Sequence, residues 1–233
     1  MKILSYNIQA AIHSSGYVHY LWQWPRQLLP TPAKRATLAR IAAFINGYDL
    51  VCLQEVELGG LRNGFKNQVE QLRAHTDFKF LCYQLNRRVG QLSQHGNLIL
   101  AKEPLRPLLK LPLPGKIPGR GLLAVGWRGL VVANTHLSLG PRDQRRQVDF
   151  IGTMLRPWPR VLLTGDFNCE PGAEPLQRLQ RQGFQRLGGR EDSFPSWRPR
   201  HCLDHGLVRG LSGEAHVLPF QASDHLPLEI VLH

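Results

Sequence analysis

Apolar and polar residues alternate along the chain in short blocks, and the block lengths predict more strands than helices. Mostly apolar runs bounded by Gly, Asn or Pro are typical of buried strands. They predict strands at 3–8, 49–54, 78–84, 97–101, 122–127, 130–136, 161–167, 203–208, 215–218 and 228–232. Apolar residues spaced three and four apart predict helices at 34–46, 67–75 and 144–155. Arg128 and Gly129 separate two apolar runs and predict a hairpin turn.

Many strands with few helices between them favour two packed, mainly antiparallel sheets with helices outside. We expect the proline-rich segments 30–32 and 111–118 to be loops. We find neither a sequence repeat nor a linker, so 233 residues predict a single domain over 1–233.

Composition narrows the class of protein. Hydrophobic residues make up 42% of the chain and charged residues 20%, which excludes a wholly disordered protein. The net charge of +12 attracts nucleic acid, an acidic membrane face or phosphorylated small molecules, unless it reflects arginine-rich composition alone. The four cysteines have neither zinc nor CxxC spacing, which indicates a reducing compartment. No apolar run reaches the roughly 18–20 residues of a membrane span, so we expect a cytoplasmic monomer.

Polar side chains that packing does not require stand at or beside six predicted strand ends. They are Asn7, Glu55, Asn134 with His136, Asp166 with Asn168, Asp204, and Asp224 with His225. A single Asp or Asn at such a place is usually a turn former, and a single histidine is more often structural than catalytic. Together, however, the six positions suit one chemistry, the metal-assisted attack of water on a phosphate ester.

Each role follows from the side-chain type. Mg²⁺ prefers oxygen ligands, so we expect Glu55 to be its main carboxylate, with Asn7 and Asp224 completing the site and Mn²⁺ as an alternative ion. Asp166 or His225 could deprotonate the water.

The remaining polar residues suit supporting roles. Asn168 and His136 could donate hydrogen bonds to the phosphate oxygens. Asp204 could orient a histidine. No nucleophile elbow, P-loop or GxGxxG motif supports a rival mechanism.

These segments resemble the endonuclease/exonuclease/phosphatase superfamily, which has the deoxyribonuclease-I-like fold. The resemblance rests on Ser5-Tyr6-Asn7-Ile8, Leu53-Gln54-Glu55-Val56, Asn134-Thr135-His136-Leu137, Gly165-Asp166-Phe167-Asn168, Leu203-Asp204-His205 and Ser223-Asp224-His225-Leu226-Pro227. It implies a four-layer α/β sandwich with the site at one edge of both sheets.

The resemblance also implies residue roles. Residues matching Glu55 and Asn7 lie at the divalent metal, and the position matching Asp224 is a metal or water ligand. Those matching Asp166 and Asn168 position water and phosphate. The residue matching His136 contacts the scissile phosphate, and those matching Asp204 and His225 form a coupled pair. Gln9 stands where some nucleases carry an acid, which puts a second carboxylate ligand there in doubt.

Four residues are candidates for substrate binding. Asn97 and Trp197 are candidates by resemblance, in His95-Gly96-Asn97 and Phe194-Pro195-Ser196-Trp197. Arg145 belongs to an arginine-rich stretch after His136, which could bind phosphate or form a solvated helix face. Trp22 lies in an aromatic cluster that could stack on bases, enter a lipid interface or pack on the body of the protein.

The sequence therefore predicts a metal-dependent phosphoesterase, with nucleic acid slightly favoured as substrate by the positive charge. Phospholipid or inositol-phosphate hydrolysis is the alternative within that class. A nucleic-acid-binding module without catalysis and a degenerate, structural family member are the alternatives outside it. The complete set of acidic residues argues against the binding module, because carboxylates repel phosphate unless a metal lies between them. Asp166, Asn168 and His225 are all present, which argues against a degenerate member.

Overall fold

The computed structural model describes residues 1–11, 32–60, 64–90, 92–116 and 118–233. This part of the chain contains four α-helices. They are α1 (Pro32–Ile45), α2 (Gln68–Ala74), α3 (Pro141–Leu155) and α4 (Glu174–Arg181). The strands are β1 (Lys2–Asn7), β2 (Leu50–Glu57), β3 (Phe80–Val89), β4 (Ser93–Ala101), β5 (Arg106–Pro112), β6 (Gly121–Trp127), β7 (Leu130–His136), β8 (Val161–Asp166), β9 (Gln185–Arg186), β10 (Asp204–Arg209), β11 (Gly213–Val217) and β12 (Leu228–Leu232).

The strands form two six-stranded sheets. One has the order β11-β12-β1-β2-β4-β3, and the other has the order β5-β6-β7-β8-β10-β9. Each sheet contains one parallel pair, β1 with β2 and β7 with β8, while the other pairs are antiparallel. The expected four-layer sandwich of mainly antiparallel sheets flanked by helices is confirmed.

Both faces of the central strands are buried, which explains their nearly continuous apolar runs. Ile3 and Val132 face the core between the sheets. Leu4 packs under α1 beside Ile41 on the outer face of the first sheet, and α3 covers the second sheet in the same way. Four buried free cysteines lie in the protein, two of them in the inter-sheet core. None of the helices in the described ranges is long and apolar enough to cross a membrane.

Several predicted boundaries were wrong, and packing explains most of the differences. β5 ends within the segment predicted as a loop at 111–118, and α1 begins at Pro32 of the other predicted loop. β5 is an edge strand, where proline removes no ladder hydrogen bond that the sheet needs. The short helix α4 was not predicted, because only Leu176 and Leu179 mark its apolar side.

Candidate active site

The topology brings the predicted strand-end residues to one edge of the sandwich. The parallel strands β1, β2, β7 and β8 run toward this edge, with Asn7 opposite Gln54 and His136 opposite Asp166. β10 runs the other way and begins there, so Asp204 lies opposite Asp166. The prediction of one shared strand-end cluster therefore has a direct structural basis.

Glu55 lies inside β2 rather than at its end, which corrects the predicted boundary. The pairing of β2 with β4 shifts register between Leu53 and Val56, and Glu55 has φ +55. A bulge of this kind redirects one side chain while the strand continues, here to Glu57. The Glu55 carboxylate is about one-third exposed, and its Oε1 lies 3.8 Å from His136 Nδ1. This is the most solvent-accessible carboxylate of the cluster.

A buried amide of the opposite sheet stabilises the bulge. Asn134 Nδ2 donates to the carbonyl oxygens of Leu53 (2.9 Å) and Leu98 (3.1 Å). Its Oδ1 accepts from Gln54 Nε2 at 2.8 Å. Asn134, a strand-end residue of the sequence prediction, is thus a link between the two sheets below Glu55.

The carboxylate of Asp166 is the meeting point of the cluster. Its Oδ2 accepts from Asn7 Nδ2 at 3.0 Å and lies 3.3 Å from His136 Nε2 and 3.6 Å from His225 Nε2. Its Oδ1 accepts from the backbone N–H of Asn168 at 2.9 Å. Burial raises the pKa of Asp166 to about 7, although the nearby His225 opposes the shift.

Asp204 and His225 form a buried pair behind Asp166. His225 Nδ1 lies 2.8 Å from Asp204 Oδ2, and the same oxygen accepts from Ser193 Oγ at 2.6 Å. Burial alone would lower the pKa of His225, but the Asp204 and Asp166 carboxylates raise it well above the usual range. The pair therefore presents the Nε2 side of a cationic imidazole to Asp166.

His136 has the opposite electrostatic environment. Burial, together with the charges of Arg120 and His225, lowers the pKa of His136 well below its usual value. Arg120 Nη1 lies 2.8 Å from Nδ1 and 2.7 Å from Nε2 of the His136 ring. A neutral imidazole fits beside the Arg120 guanidinium, because an imidazolium at these distances would repel it.

Asp224 and Asn168 complete the cluster. Asp224 is buried, its Oδ1 accepts from Ser223 Oγ at 3.1 Å, and burial raises its pKa to about 6. The negative charge of Glu55 contributes to that shift. Asn168 has φ +50, and its Nδ2 donates to the Leu137 carbonyl at 2.9 Å. The left-handed conformation lets the chain turn sharply directly after β8, which orders the Asn168 side chain at the site.

Arg120 was missed by the sequence analysis. It follows the proline-rich segment, directly before β6, where no motif marks it. Burial lowers the pKa of Arg120, while Glu55 and Asp166 oppose the shift, so its guanidinium faces the site. The only sequence signal was a basic residue next to a strand start in a chain rich in arginine.

The four predicted substrate-binding residues have different surroundings. Asn97 is buried and donates to the carbonyl oxygens of Gly121 (3.2 Å) and Asn134 (3.4 Å), between the sheets. Arg145 donates to Glu174 at 3.1 Å in an exposed ion pair that joins α3 to α4. The structure does not bring either into contact with the Asp166 cluster.

Trp197 follows directly after Ser196, whose backbone N–H donates to the Asp224 carbonyl at 2.7 Å. Trp197 is half-buried in this loop. It therefore lies in a loop bonded to the chain next to His225. Trp22 lies outside the described residues.

Sequence comparison gives a family. A family model described as Endonuclease/Exonuclease/phosphatase family matches residues 4–225. The chain belongs to this family. Members of the endonuclease/exonuclease/phosphatase family are hydrolases acting on phosphoester bonds, and they generally depend on a divalent metal. Comparison with curated protein sequences gives no match.

Several solved structures have a fold similar to that of this chain. An endonuclease/exonuclease/phosphatase from Beutenbergia cavernae is 20% identical with a TM-score of 0.77, over 100% of this chain and 71% of that chain. A functionally unknown conserved protein from Enterococcus faecalis is 22% identical with a TM-score of 0.72, over 100% and 99% of the two chains. A mannosyl-6-phosphatase from Bacteroides thetaiotaomicron is 14% identical with a TM-score of 0.67, over 100% and 99%. At these identities the similarity shows the fold alone.

Two sets of side chains could hold a cation. Atoms of Asp166, Asp204 and His225 lie within 4.8 Å of one another, but Asp204 and His225 already bond each other. Glu55, by contrast, is the accessible carboxylate. Further oxygens come from the side chain of Asn7, at the end of the neighbouring strand β1, and from Asp224, whose pKa the Glu55 charge raises. Oxygen donors of this kind fit Mg²⁺ or Mn²⁺. A cation there would also offset the repulsion that Glu55 exerts on Asp224.

Proposed function

We propose that the protein is a divalent-metal-dependent phosphoesterase that hydrolyses its substrate by attack of an activated water. The observation that carries this proposal is the convergence of groups on Asp166. One carboxylate oxygen lies within 3.0–3.6 Å of an amide and two histidines from three separate chain segments. Such an arrangement can accept a proton while donors around it stabilise negative charge.

The proposed metal ligands are Glu55, Asn7 and Asp224, with Mg²⁺ as the expected ion and Mn²⁺ as the alternative. The chemistry supplied by the ion would be polarisation of the phosphoryl oxygens and stabilisation of the leaving oxygen. Glu55 contributes a carboxylate that is directed by its bulge and accessible from solvent.

Asp166 is the proposed base for the attacking water. Asn7 and the backbone N–H of Asn168 hold its two oxygens in a fixed orientation, so little reorganisation is required when it takes a proton. His225 is the proposed charge partner rather than the base, since its Nδ1 is bonded to Asp204 and its Nε2 faces Asp166 Oδ2. The alternative, in which His225 accepts the proton, predicts a different order of variant effects.

Donors for the phosphate oxygens lie on the opposite side of Asp166. His136 lies between Asp166 and Glu55, and Arg120 contacts its ring. A guanidinium can bind a phosphate through two parallel hydrogen bonds. The proposed role of Arg120, His136 and Asn168 is to bind the non-bridging oxygens as charge develops on them.

Nucleic acid is the proposed substrate class. The net charge of +12 favours a polyanion over a small ester. Locally, the Arg87 side chain lies close to Gly119 and its charge lowers the pKa of Arg120, so a second guanidinium lies near Arg120. Such a pair suits a substrate that carries more than one phosphate.

The test is hydrolysis by the purified protein with Mg²⁺, with Mn²⁺ and with EDTA. The panel contains single-stranded and duplex DNA, RNA, bis-(p-nitrophenyl) phosphate, p-nitrophenyl phosphate, a sugar phosphate and an inositol phospholipid. The variant is Asp166→Asn, and the matched control is Asp149→Asn, which neutralises an exposed aspartate of α3 that pairs with Arg178.

We expect metal-dependent cleavage of nucleic acid that falls at least about a hundredfold in Asp166→Asn and is unchanged in Asp149→Asn. His225→Ala should lose less than Asp166→Asn. A larger loss in His225→Ala would assign the base to His225. Cleavage that persists in EDTA, or in Asp166→Asn, would contradict the proposal. Preferential cleavage of the sugar phosphate or phospholipid would overturn the substrate class and keep the reaction.

A further inference from the structure

A cavity lies at the other end of the sandwich from the Asp166 cluster. It is an open cleft of about 410 Å³ lined by the β6–β7 turn, the start of β5 and the segment that leads into β8. β7 begins at Leu130 in this cleft and ends at His136 in the cluster. At about 3.3 Å per strand residue, roughly 20 Å separate the two places. The cleft is thus distinct from the proposed active site.

The cleft carries positive charge that no carboxylate of the described residues neutralises in full. Three arginines line it, Arg106, Arg128 and Arg160. Arg128 is paired with Glu103 through two hydrogen bonds and lies 4.0 Å from Asp49. Arg106 and Arg160 are exposed and have no carboxylate partner among the residues that the structure describes. Two guanidiniums are therefore free to bind an anion.

The other walls of the cleft are flat and apolar. Trp158 is half-buried there, and Pro104 and Leu105 stand across the opening. Trp127 adds a further aromatic surface to the wall, although most of its indole is buried in the core between the sheets.

We propose that this cleft binds a nucleotide, with the phosphate on Arg106 and Arg160 and the base against Trp158. Guanidinium groups bind phosphate through paired hydrogen bonds, and indole rings stack on bases of any identity. The volume is in the range of small-ligand sites and is too small for a folded partner. The same chemistry occurs in a free mononucleotide and at the end of a single strand.

The test uses AMP as the probe, with the full chain, at low salt and in EDTA so that no hydrolysis occurs. Binding is measured by calorimetry for the wild-type protein, Arg106→Ala/Arg160→Ala, Trp158→Ala and Glu55→Gln. Arg156→Ala is the matched control, because it removes an exposed arginine next to the cleft that does not line it. Ribose 5-phosphate and adenosine serve as probes that lack the base or the phosphate.

We expect saturable AMP binding that weakens at least about tenfold in the double arginine variant and about fivefold or more in Trp158→Ala. Binding should be unchanged in Arg156→Ala and Glu55→Gln, and weaker for both partial probes. Displacement of AMP by a single-stranded oligonucleotide would support a strand end as the natural source, and no displacement would support a free nucleotide.

Absence of saturable AMP binding would overturn the proposal. So would full binding in the double arginine variant, or binding that becomes stronger in Glu55→Gln, since loss of that negative charge without a metal favours phosphate only at the Asp166 cluster.

Discussion

Replacement of Asn134 by leucine tests how the two sheets hold the site together. The substitution nearly conserves side-chain volume, but it removes the amide that joins Gln54 to the carbonyl oxygens of Leu53 and Leu98. All of these groups are buried. The Leu53 carbonyl lies where β2 leaves its regular pairing with β4, so the Asn134 side chain donates at an irregular point of the ladder.

The magnitude follows from the unpaired groups. Each buried polar group left without a partner costs about 1–3 kcal/mol. Two carbonyls lose a donor, and one amide of Gln54 loses its shortest acceptor while its longer bonds to Ser5 and Cys52 remain. We expect Asn134→Leu to lower the free energy of unfolding by about 3–5 kcal/mol and Tm by about 10 °C.

The assay is urea unfolding followed by tryptophan fluorescence. It compares the wild-type protein with Asn134→Leu, Gln54→Leu and the variant that carries both substitutions. The double variant should cost at least about 1 kcal/mol less than the two single variants together, since both partners of one hydrogen bond are then apolar. Thr135→Val is the matched control on the same strand. It removes a single hydrogen bond of 3.2 Å to the Gly121 carbonyl and should cost about 1 kcal/mol. A cost below about 1 kcal/mol for Asn134→Leu, or strict additivity, would refute the reasoning.

Three further variants test the surroundings of the cluster. Ser193→Ala removes the 2.6 Å hydrogen bond to Asp204 and should lower kcat about tenfold at unchanged KM, with activity retained in the threonine variant. Arg120→Gln should lower kcat/KM about 10- to 100-fold through loss of phosphate contacts and of its contact to His136. Burial lowers the pKa of His205 to about 4, below the usual 6.5, so the unfolded state binds a proton that the native state does not. His205 should therefore contribute a fall in stability of about 3 kcal/mol between about pH 6.5 and pH 4, and the decrease measured by urea unfolding should be smaller by that amount in His205→Phe; equal slopes would contradict it.

The strand-end cluster could be predicted because each of its residues is marked by the short sequence pattern around it. A polar residue beside a buried apolar run has no packing reason to be there. Asp166 ends the run of β8, Asp204 begins β10, and His225 lies just before β12. Parallel strands then bring such residues to one edge, which is a property of the topology and not of any long-range detail. The predicted roles of these residues remain predictions that the variants above test.

Other features depend on contacts between distant segments, which a sequence pattern does not encode. Arg145 was a candidate for phosphate binding or for a solvated helix face, and the sequence pattern did not indicate its ion pair with a carboxylate on α4, a helix that was not predicted. The bulge at Glu55 requires a donor from the opposite sheet, so β2 was predicted to end too early. Arg120 lies at the site because the chain turns back after β5, a strand whose prolines indicated a loop.

The most direct test of the proposed metal-dependent hydrolysis compares the wild-type protein with Glu55→Gln. The rate is measured as a function of Mg²⁺ concentration, on the substrate that the wild-type protein hydrolyses fastest. The wild-type rate should rise to saturation with Mg²⁺ and disappear in EDTA, while Glu55→Gln should show no comparable response. Glu55→Gln is nearly isosteric and changes a partly exposed side chain, so the variant is expected to fold. A wild-type rate independent of the metal, or a Glu55→Gln rate equal to the wild type at low Mg²⁺, would contradict the account.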